Sequence, residues 1–205
     1  MSKRFSAPCE RNRDPILSAL RTFLTTPALV LEIGSGTGQH AAHFGANLPH
    51  LTWQTSDLPE NHDSILAWIE EAKRSNVLAP VLLDMAAPRW IEQIPAPDVQ
   101  VVYTANTCHI MSWELVVSMV AGVGRLLPAN GLFLVYGPFN YGGLATSAGN
   151  ADFDRTLRLD DPARGIRDAE AMQTLAADNG LRLRDDLPMP ANNRLLIFQR
   201  HPEAG

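Results

Sequence analysis

The amino-acid sequence predicts a three-layer α/β fold built on a mostly parallel β-sheet. From residue 28 onward, short apolar runs rich in β-branched residues alternate with longer amphipathic runs, which is the pattern of successive β–α–β units. The chain has 205 residues, of which 45% are hydrophobic and 19% are charged. These values are near the averages of globular domains. We therefore expect one domain over residues 1–205.

The individual elements follow from the apolar runs and the turn residues between them. An N-terminal helical segment is expected over residues 1–27, with an amphipathic run at Arg13–Leu24, Pro15 in its first turn and Pro27 beyond its end. Strands are expected at Leu29–Ile33, Leu51–Ser56, Pro80–Leu83, Val99–Thr104 and Leu132–Tyr136. Helices are expected near Gly38–Ala46, Asn61–Ser75, Pro88–Gln93 and Ser112–Leu126.

The C-terminal part of the chain predicts a long loop, a helix and a closing hairpin. Gly, Ser and Asn residues after the fifth strand predict a loop over residues 138–165, and loops of this kind near strand ends often cover ligands. We expect this loop to lie over the active site. A helix is expected at Asp168–Asn179, and strands at Leu181–Leu187 and Arg194–Arg200 are joined by a turn at Pro188–Asn193.

Charge and composition argue against several functional classes. The net charge of -5 disfavours a general nucleic-acid binder, which needs a concentrated excess of Lys and Arg. Cys9 and Cys108 are too few for a disulfide framework, and His40 and His43 have no third ligand at a supporting spacing, so no metal site is expected. Without an apolar run of about 18 residues, we expect a soluble, cytoplasmic protein with no membrane partner. The sequence does not indicate an oligomeric state.

A glycine-rich segment follows the first strand and opens a helix. Gly34, Gly36 and Gly38 allow the backbone to turn sharply and to approach a ligand without a Cβ atom in the way. A dinucleotide fingerprint, G-x-G-x-x-G, would require glycine where Gln39 stands, which argues against a nicotinamide cofactor. The alternative interpretation is an ordinary tight turn between a strand and a helix.

Acidic residues stand near the ends of three successive strands. Glu32 precedes the first glycine by two residues, and Asp57 follows Gly38 by 19, close to the spacing of about 20 at which a carboxylate reaches a ribose. Asp84 follows the third strand. Open α/β folds bind ligands at the carboxyl ends of their strands. The alternative roles are local: Asp57 as the cap of the next turn and Asp84 as a helix cap before Pro88.

The spacing G-x-G-x-G, with Glu32 before it, resembles class I S-adenosylmethionine-dependent methyltransferases. The resemblance implies a Rossmann-like sandwich with a mostly parallel seven-stranded sheet, an antiparallel C-terminal hairpin strand and S-adenosylmethionine as cofactor. It also implies that Asp57 reaches the ribose and that Asp84 and Met85 contact the edge and face of the adenine. The cofactor-binding residues expected are Glu32, Gly34, Ser35, Gly36, Gly38, Asp57, Leu58, Asp84, Met85 and Asn106.

The segment after the fourth strand carries the expected catalytic residues. In related methyltransferases the chain at this point passes beside the methyl donor and acceptor, which implicates Asn106 and His109. A neutral His109 can remove a proton from an oxygen or nitrogen nucleophile, since an unperturbed histidine has a pKa of about 6.5. The alternative role for His109 is to cap the helix that begins at Ser112.

Four further segments narrow the resemblance: Cys9–Leu17, Tyr136–Phe139, Gly165–Asp168 and Pro190–Asn193. Together they look like an uncharacterised methyltransferase-like family, catalogued as a domain of unknown function, and the similarity covers nearly the whole chain. The same resemblance places six residues in an acceptor pocket: Asn12, Tyr136, Asn140, Tyr141, Asn192 and Asn193. The last two can equally serve to close the final hairpin, because Asn tolerates left-handed turns.

These patterns predict an enzyme that transfers a methyl group from S-adenosylmethionine to a small-molecule acceptor. Two other functions stay open at this point. One is a protein that binds S-adenosylmethionine and regulates another process without turnover. The other is a nicotinamide-dependent oxidoreductase, against which Gln39 argues.

Overall fold

The computed structural model describes residues 3–95 and 98–202. The chain divides into two compact units, Met1–Thr104 and Ala105–Gly205. Each unit has its own strands and helices, and they are taken in turn below. The single domain expected over residues 1–205 stays a prediction.

The first unit alternates strands and helices along the chain. Its elements are α1 (Ala7–Phe23), β1 (Ala28–Ile33), α2 (Gln39–Asn47), β2 (Leu51–Asp57), α3 (Pro59–Ala72), β3 (Val77–Leu82) and β4 (Val101–Ala105). The strands pair in the order β3-β2-β1-β4, and all these pairs are parallel. The helix predicted at Pro88–Gln93 is only a short 3-10 helix at Trp90–Gln93.

An aromatic cluster joins α2 to two strands of the first unit. The ring of Phe44 lies 5.3 Å from that of Trp53 and 5.8 Å from that of Tyr103, and the Trp53 and Tyr103 rings are 5.6 Å apart. All three side chains are completely buried. Aromatic pairs at these distances add about 0.5–1.5 kcal/mol each to the free energy gained from burial. The cluster therefore packs α2 against β2 and β4.

Helix α1 begins six residues before the predicted amphipathic run. Ser6 caps it by accepting a hydrogen bond from the backbone N–H of Cys9, and a proline follows in the first turn, where its missing N–H costs nothing. Pro15 consequently lies inside the helix and not in its first turn, so the sequence-based placement was wrong. The helix tolerates it while burying Ile16 and Leu20 completely.

The second unit contains the antiparallel part of the fold. Its elements are α4 (Trp113–Leu126), β5 (Leu132–Asn140), α5 (Ala148–Asp160), β6 (Arg167–Asp168), α6 (Ala169–Asp178), β7 (Leu181–Met189) and β8 (Asn193–Arg200). Strand β8 pairs antiparallel with both β5 and β7, while β6 pairs parallel with β5. The predicted hairpin and α/β class are confirmed. Eight strands are described where seven were implied, because β6 adds a two-residue strand.

The loop predicted over residues 138–165 is wrong in its middle and at its start. Strand β5 continues to Asn140, and α5 occupies Ala148–Asp160. Ser147 caps α5 by accepting from the backbone N–H of Asn150 at 3.1 Å, and ion pairs such as Arg158–Asp154 run along its surface. The charged helix has almost no apolar stripe, since Leu157 is among its few buried residues, so hydrophobic periodicity did not reveal it.

No helix within residues 3–95 and 98–202 is long and apolar enough to cross a membrane.

Candidate functional site

The glycine loop of the first unit presents bare backbone to open space. Gly36 and Gly38 both adopt left-handed conformations, with φ of 59° and 93°. A Cβ atom on Gly38 would lie 2.8 Å from the Cα of Ile65, so this glycine is needed for α3 to pack against the loop. A Cβ atom on Gly36 would meet nothing within 4 Å. The front of the loop at Gly36 is therefore where a ligand can approach the backbone.

Hydrogen bonds clamp this loop to the end of β2. The Ser35 backbone N–H donates to the Ser56 carbonyl at 2.9 Å, and the Ser35 hydroxyl accepts from the Ser56 N–H at 3.1 Å. The Gly36 N–H donates to Asp57 Oδ2 at 2.6 Å. The loop conformation is thus fixed by its neighbour strand before any ligand is present.

Asp57 has most of its hydrogen-bonding capacity committed within the protein. Besides Gly36, it accepts from the Leu58 N–H at 2.7 Å and from the Asn61 amide at 2.6 Å, both on Oδ1. A carboxylate has about four lone-pair sites, so one is left for a ligand. These bonds tie Asp57 to the start of α3 without capping that helix, since Leu58 stands at the N-cap and no side chain caps it; Asp57 can still accept one hydroxyl. The Leu58 side chain beside it is 38% exposed.

Glu32 lies beneath the glycine loop with its carboxylate buried. Its Oε2 accepts from the Ser35 hydroxyl at 2.8 Å and from the Trp53 indole N–H at 3.1 Å. Burial raises the pKa of this carboxyl to about 7, against which the two hydrogen bonds act only partly. Glu32 thus exchanges its proton near neutral pH.

Asp84 and Met85 follow β3, and they differ in their exposure to solvent. Asp84 is exposed, and its Oδ1 accepts from the Ala86 N–H at 2.8 Å, which closes a turn. The alternative role as a helix cap is wrong, because the next helix begins only at Trp90. Met85 is buried. An exposed carboxylate next to a polarizable thioether suits the edge and the face of a flat ring.

Two residues at the start of α2 fasten α1 to the glycine loop. Gln39 is buried, and its side-chain oxygen accepts from the Ser6 backbone N–H and from the Thr37 hydroxyl. His40 Nε2 lies 2.7 Å from the side-chain oxygen of Asn12 and donates to it. Burial lowers the pKa of His40 to about 4, so the ring is neutral. These contacts give Gln39 a structural role. The sequence showed only that Gln39 stands where a dinucleotide fingerprint has glycine, and it did not reveal this role.

Asn12, which the resemblance places in an acceptor pocket, belongs to the first unit and is buried against His40.

No group of three or more metal-ligating side chains is found in the part of the chain that the structure describes.

In the second unit, the two expected catalytic residues face the same glycine. Asn106 adopts a left-handed conformation, with φ of 60°, and its N–H donates to the Tyr136 carbonyl at 2.9 Å. A Cβ atom on Gly137 would lie 3.8 Å from His109 Nδ1 and 4.0 Å from Asn106 Oδ1. The missing side chain of Gly137 therefore leaves a space that both residues border.

His109 is buried and weakly basic. Its ring packs edge-on against Phe153 at 5.3 Å, and burial, with a smaller contribution from the Arg167 charge, lowers its pKa to about 4. It does not cap α4, because the Ser112 hydroxyl does so by accepting from the Leu115 N–H. The imidazole is thus neutral at physiological pH and suited to hydrogen bonding.

Arg167 holds the turn that carries His109, a role that the sequence did not reveal. Its Nε donates to the Cys108 carbonyl at 2.9 Å, and its Nη2 donates to the carbonyls of Met111 and Ala163. The residue is buried. Its segment, Gly165–Asp168, entered the family resemblance, but nothing in its spacing shows that a buried guanidinium binds backbone carbonyls.

A cavity of about 370 Å³ lies beside the β7–β8 hairpin. Its lining includes three of the residues expected in the acceptor pocket, and the full set is Tyr141, Thr146, Pro188, Met189, Asn192, Asn193 and Arg194. Asn192, with φ of 56°, and Asn193, whose amide donates to the Pro190 carbonyl at 3.1 Å, also shape the hairpin turn. The hairpin-turn interpretation of this Asn pair therefore holds, and both residues also line the cavity, whose role as an acceptor pocket stays a prediction.

The other two expected acceptor residues of this unit are not in the cavity lining. Tyr136 is buried in β5. The Asn140 amide nitrogen makes a long bond of 3.5 Å to the Ile166 carbonyl, and its buried Oδ1 has no hydrogen-bond partner within residues 3–95 and 98–202.

The fold is similar to those of several solved methyltransferase structures. An O-methyltransferase family protein from Burkholderia thailandensis has a TM-score of 0.76 at 18% identity, with 94% of this chain and 59% of that chain covered. The S-adenosylmethionine-dependent methyltransferase SibL, in its apo form, gives 0.78 at 18%, with 95% and 56% covered. PigF with SAH gives 0.74 at 13%, with 91% and 61% covered.

At these identities the likeness shows the fold, and the chain spans about three-fifths of the length of the matched structures. The resemblance to an uncharacterised family is confirmed, because the model of one such family matches residues 3–200. This chain belongs to the family described as "Protein of unknown function (DUF938)".

Proposed function

We propose that this protein transfers a methyl group from S-adenosylmethionine to a small-molecule acceptor. The observation that carries the proposal is the bare glycine loop held in place by Asp57 through the Gly36 N–H. The fold supports it, since matched structures include an S-adenosylmethionine-dependent methyltransferase and a protein with SAH.

The first unit contains nine of the ten expected cofactor-binding residues, and Asn106 is the tenth. The Gly36 backbone has the open space that a nucleoside needs for close approach. Asp57 has one lone-pair site for a ribose hydroxyl, and the exposed Leu58 side chain offers an apolar surface beside it. Asp84 and Met85 fit the edge and face of an adenine. When bound, the cofactor supplies a methyl group that is already activated as a sulfonium.

The second unit supplies the residues that handle the acceptor. Asn106 and His109 border one space at Gly137 and can orient an acceptor there by hydrogen bonding. With a pKa near 4, His109 is a weak base, so its contribution is positional more than proton-removing. Methyl transfer is well served by such positioning, which can account for about 7–11 kcal/mol of a barrier.

A pair of glycine variants tests the cofactor site. Gly36→Ala places a methyl group in the open space before the loop, and we expect it to weaken S-adenosylmethionine binding by at least about tenfold. Gly142→Ala is the matched control, because Gly142 also has a left-handed φ, of 56°, and a Cβ atom there would meet nothing within 4 Å. Both variants bear similar backbone strain, so equal affinities, measured by calorimetry, would contradict the assignment.

A further inference from the structure

Asp186 is hydrogen-bonded to two residues that line the hairpin cavity, Arg194 and Tyr141. Arg194 donates from Nε to Asp186 Oδ1 at 2.7 Å and from Nη2 to the Asp186 carbonyl at 3.0 Å. The Tyr141 hydroxyl donates to Asp186 Oδ2 at 2.7 Å. Burial and this bond to Asp186 raise the pKa of Tyr141, so its phenol stays protonated. Both carboxylate oxygens of Asp186 are thus bound to residues that line the cavity.

The ion pair between Arg194 and Asp186 leaves the cavity lining without net charge. Among the side chains that line it in the described part of the chain, Arg194 is the charged one, and Asp186 neutralises it at contact distance. A charged ligand entering the cavity would lose part of its hydration without meeting an unpaired counter-charge. The nearby carboxylates of Asp168 and Glu170 accept from the Gly143 and Gly142 N–H groups at the protein surface. An uncharged ligand avoids this penalty.

The lining also defines a size and a shape. A volume of about 370 Å³ is at the small end of the range for small-molecule sites, about 300–1,000 Å³. Pro188, Met189 and the Tyr141 ring form an apolar wall. The Thr146 hydroxyl oxygen accepts from the Asn150 amide at 2.9 Å, and a hydroxyl that accepts one hydrogen bond can still donate its own proton. One ring with a hydrogen-bonding substituent matches this lining.

Strand register places the cavity on the same side of the sheet as the catalytic candidates. Gly137 pairs directly with Arg194 across β5 and β8, and directly opposed residues project from the same face. That face is the one on which a Gly137 side chain would meet Asn106 and His109. Arg194, a residue of the cavity lining, therefore projects from the same face of the sheet as the space that those two residues border.

We propose that the hairpin cavity binds a small, uncharged ring compound and selects it against charged compounds of the same size. The identification of this compound as the methyl acceptor rests on the proposed function. The Asp186–Arg194 pair determines the selection, because it leaves neither charge available to a ligand.

Three matched probes test the selection: 4-hydroxybenzamide, 4-hydroxybenzoate and 4-hydroxybenzylamine. They share a ring and a phenol but are neutral, anionic and cationic near pH 7. Binding is followed by NMR of protein labelled with [¹³C-methyl]methionine, in which Met189 lines the cavity and the completely buried Met119 of α4 is the internal control. We expect only the Met189 signal to move, with the amide bound at least about tenfold more tightly than either charged probe.

Charge variants test whether Asp186 and Arg194 cause the selection. Asp186→Asn leaves Arg194 unpaired and should raise the affinity for 4-hydroxybenzoate by about tenfold or more, whereas Arg194→Gln leaves Asp186 unpaired and should favour 4-hydroxybenzylamine. The double variant should return the preference to the amide. Arg182→Gln, at an exposed position of β7, is the matched control and should leave the order unchanged. Simple structural damage would weaken all three probes alike.

The inference is overturned if a charged probe binds the wild type as tightly as the amide, if the variants keep the wild-type order, or if no probe moves Met189 at millimolar concentration. S-adenosylmethionine is absent from these titrations. If S-adenosylmethionine does not bind, the proposed function is contradicted and the probe result is unaffected. If the Met189 signal does not respond to any probe, this inference is contradicted and the measured cofactor affinity is unaffected.

Discussion

Gly36 donates its backbone N–H to Asp57 Oδ2 at 2.6 Å, and this bond connects the glycine loop to the carboxyl end of β2. The same carboxylate that is expected to bind a ribose thus also holds the loop that approaches the nucleoside. Changes at Asp57 should consequently affect ligand affinity and protein stability together, and two substitutions can separate the effects.

Asp57→Asn should weaken S-adenosylmethionine binding by about tenfold or more and lower the free energy of unfolding less than Asp57→Ala does, since the amide oxygen still accepts on one side while the NH2 group faces a donor on the other. Asp57→Ala should also lower the free energy of unfolding by about 1–3 kcal/mol, because three donors lose their acceptor. Calorimetry and urea unfolding measure the two quantities. Asp63→Asn, at an exposed position of α3, is the control. An unchanged cofactor affinity in Asp57→Asn would show that Asp57 serves only the loop.

Glu32 should make stability depend on pH. Its folded pKa of about 7 lies above the ordinary 4.5, so between these values the unfolded chain releases the proton first and stability falls as pH rises. Glu32→Gln removes this loss. The free energy of unfolding of the variant, relative to wild type, should increase from pH 4.5 to 7 and then level off.

Comparing the variant with wild type cancels the buried histidines His40 and His109, whose lowered pKa values act in the opposite direction below about pH 6.5. A difference between variant and wild type that stays constant over this range would show that Glu32 is ionised normally.

Gln39→Gly restores the glycine of a dinucleotide fingerprint and tests the role given to Gln39. The Ser6 N–H loses its acceptor and α1 loses a connection to the loop, so the free energy of unfolding should fall by about 1 kcal/mol or more. NADH binding should not appear. Tight NADH binding by this variant would show that Gln39 alone had excluded a dinucleotide.

His109→Ala and Asn106→Ala should separate binding from turnover. Transfer of labelled methyl groups to metabolites of a lysate should fall by about tenfold or more in each variant, because the acceptor loses an orienting partner. Wild-type transfer should lack a titration near pH 6.5, since His109 is already neutral there. Equal labelling in wild type and both variants would contradict their role, and no labelling by the wild type would favour a protein that binds the cofactor without turnover.

The strands and the glycine loop were predictable because their signals are local. A run of apolar residues marks β1, and closely spaced glycines permit the left-handed conformation that Gly36 adopts. Helix α5 was not predicted, because it buries few side chains and its surface carries ion pairs such as Arg158–Asp154, so its sequence has no apolar period.

The residues missed at the sites depend on distant contacts. Arg167 binds the Cys108 carbonyl 59 positions away, and Gln39 binds Ser6 33 positions away. Neither spacing belongs to a local pattern. By contrast, Tyr141, Asn192 and Asn193 were named from a resemblance, and the structure brings them to one cavity.

Calorimetric titration of the wild-type protein with S-adenosylmethionine, and in parallel with NADH, tests the central claim most directly. The glycine loop, Asp57 and Gln39 together predict saturable binding of S-adenosylmethionine at micromolar to millimolar concentration and no heat with NADH. Saturable binding of NADH, or no heat and no thermal shift with millimolar S-adenosylmethionine, would contradict the account.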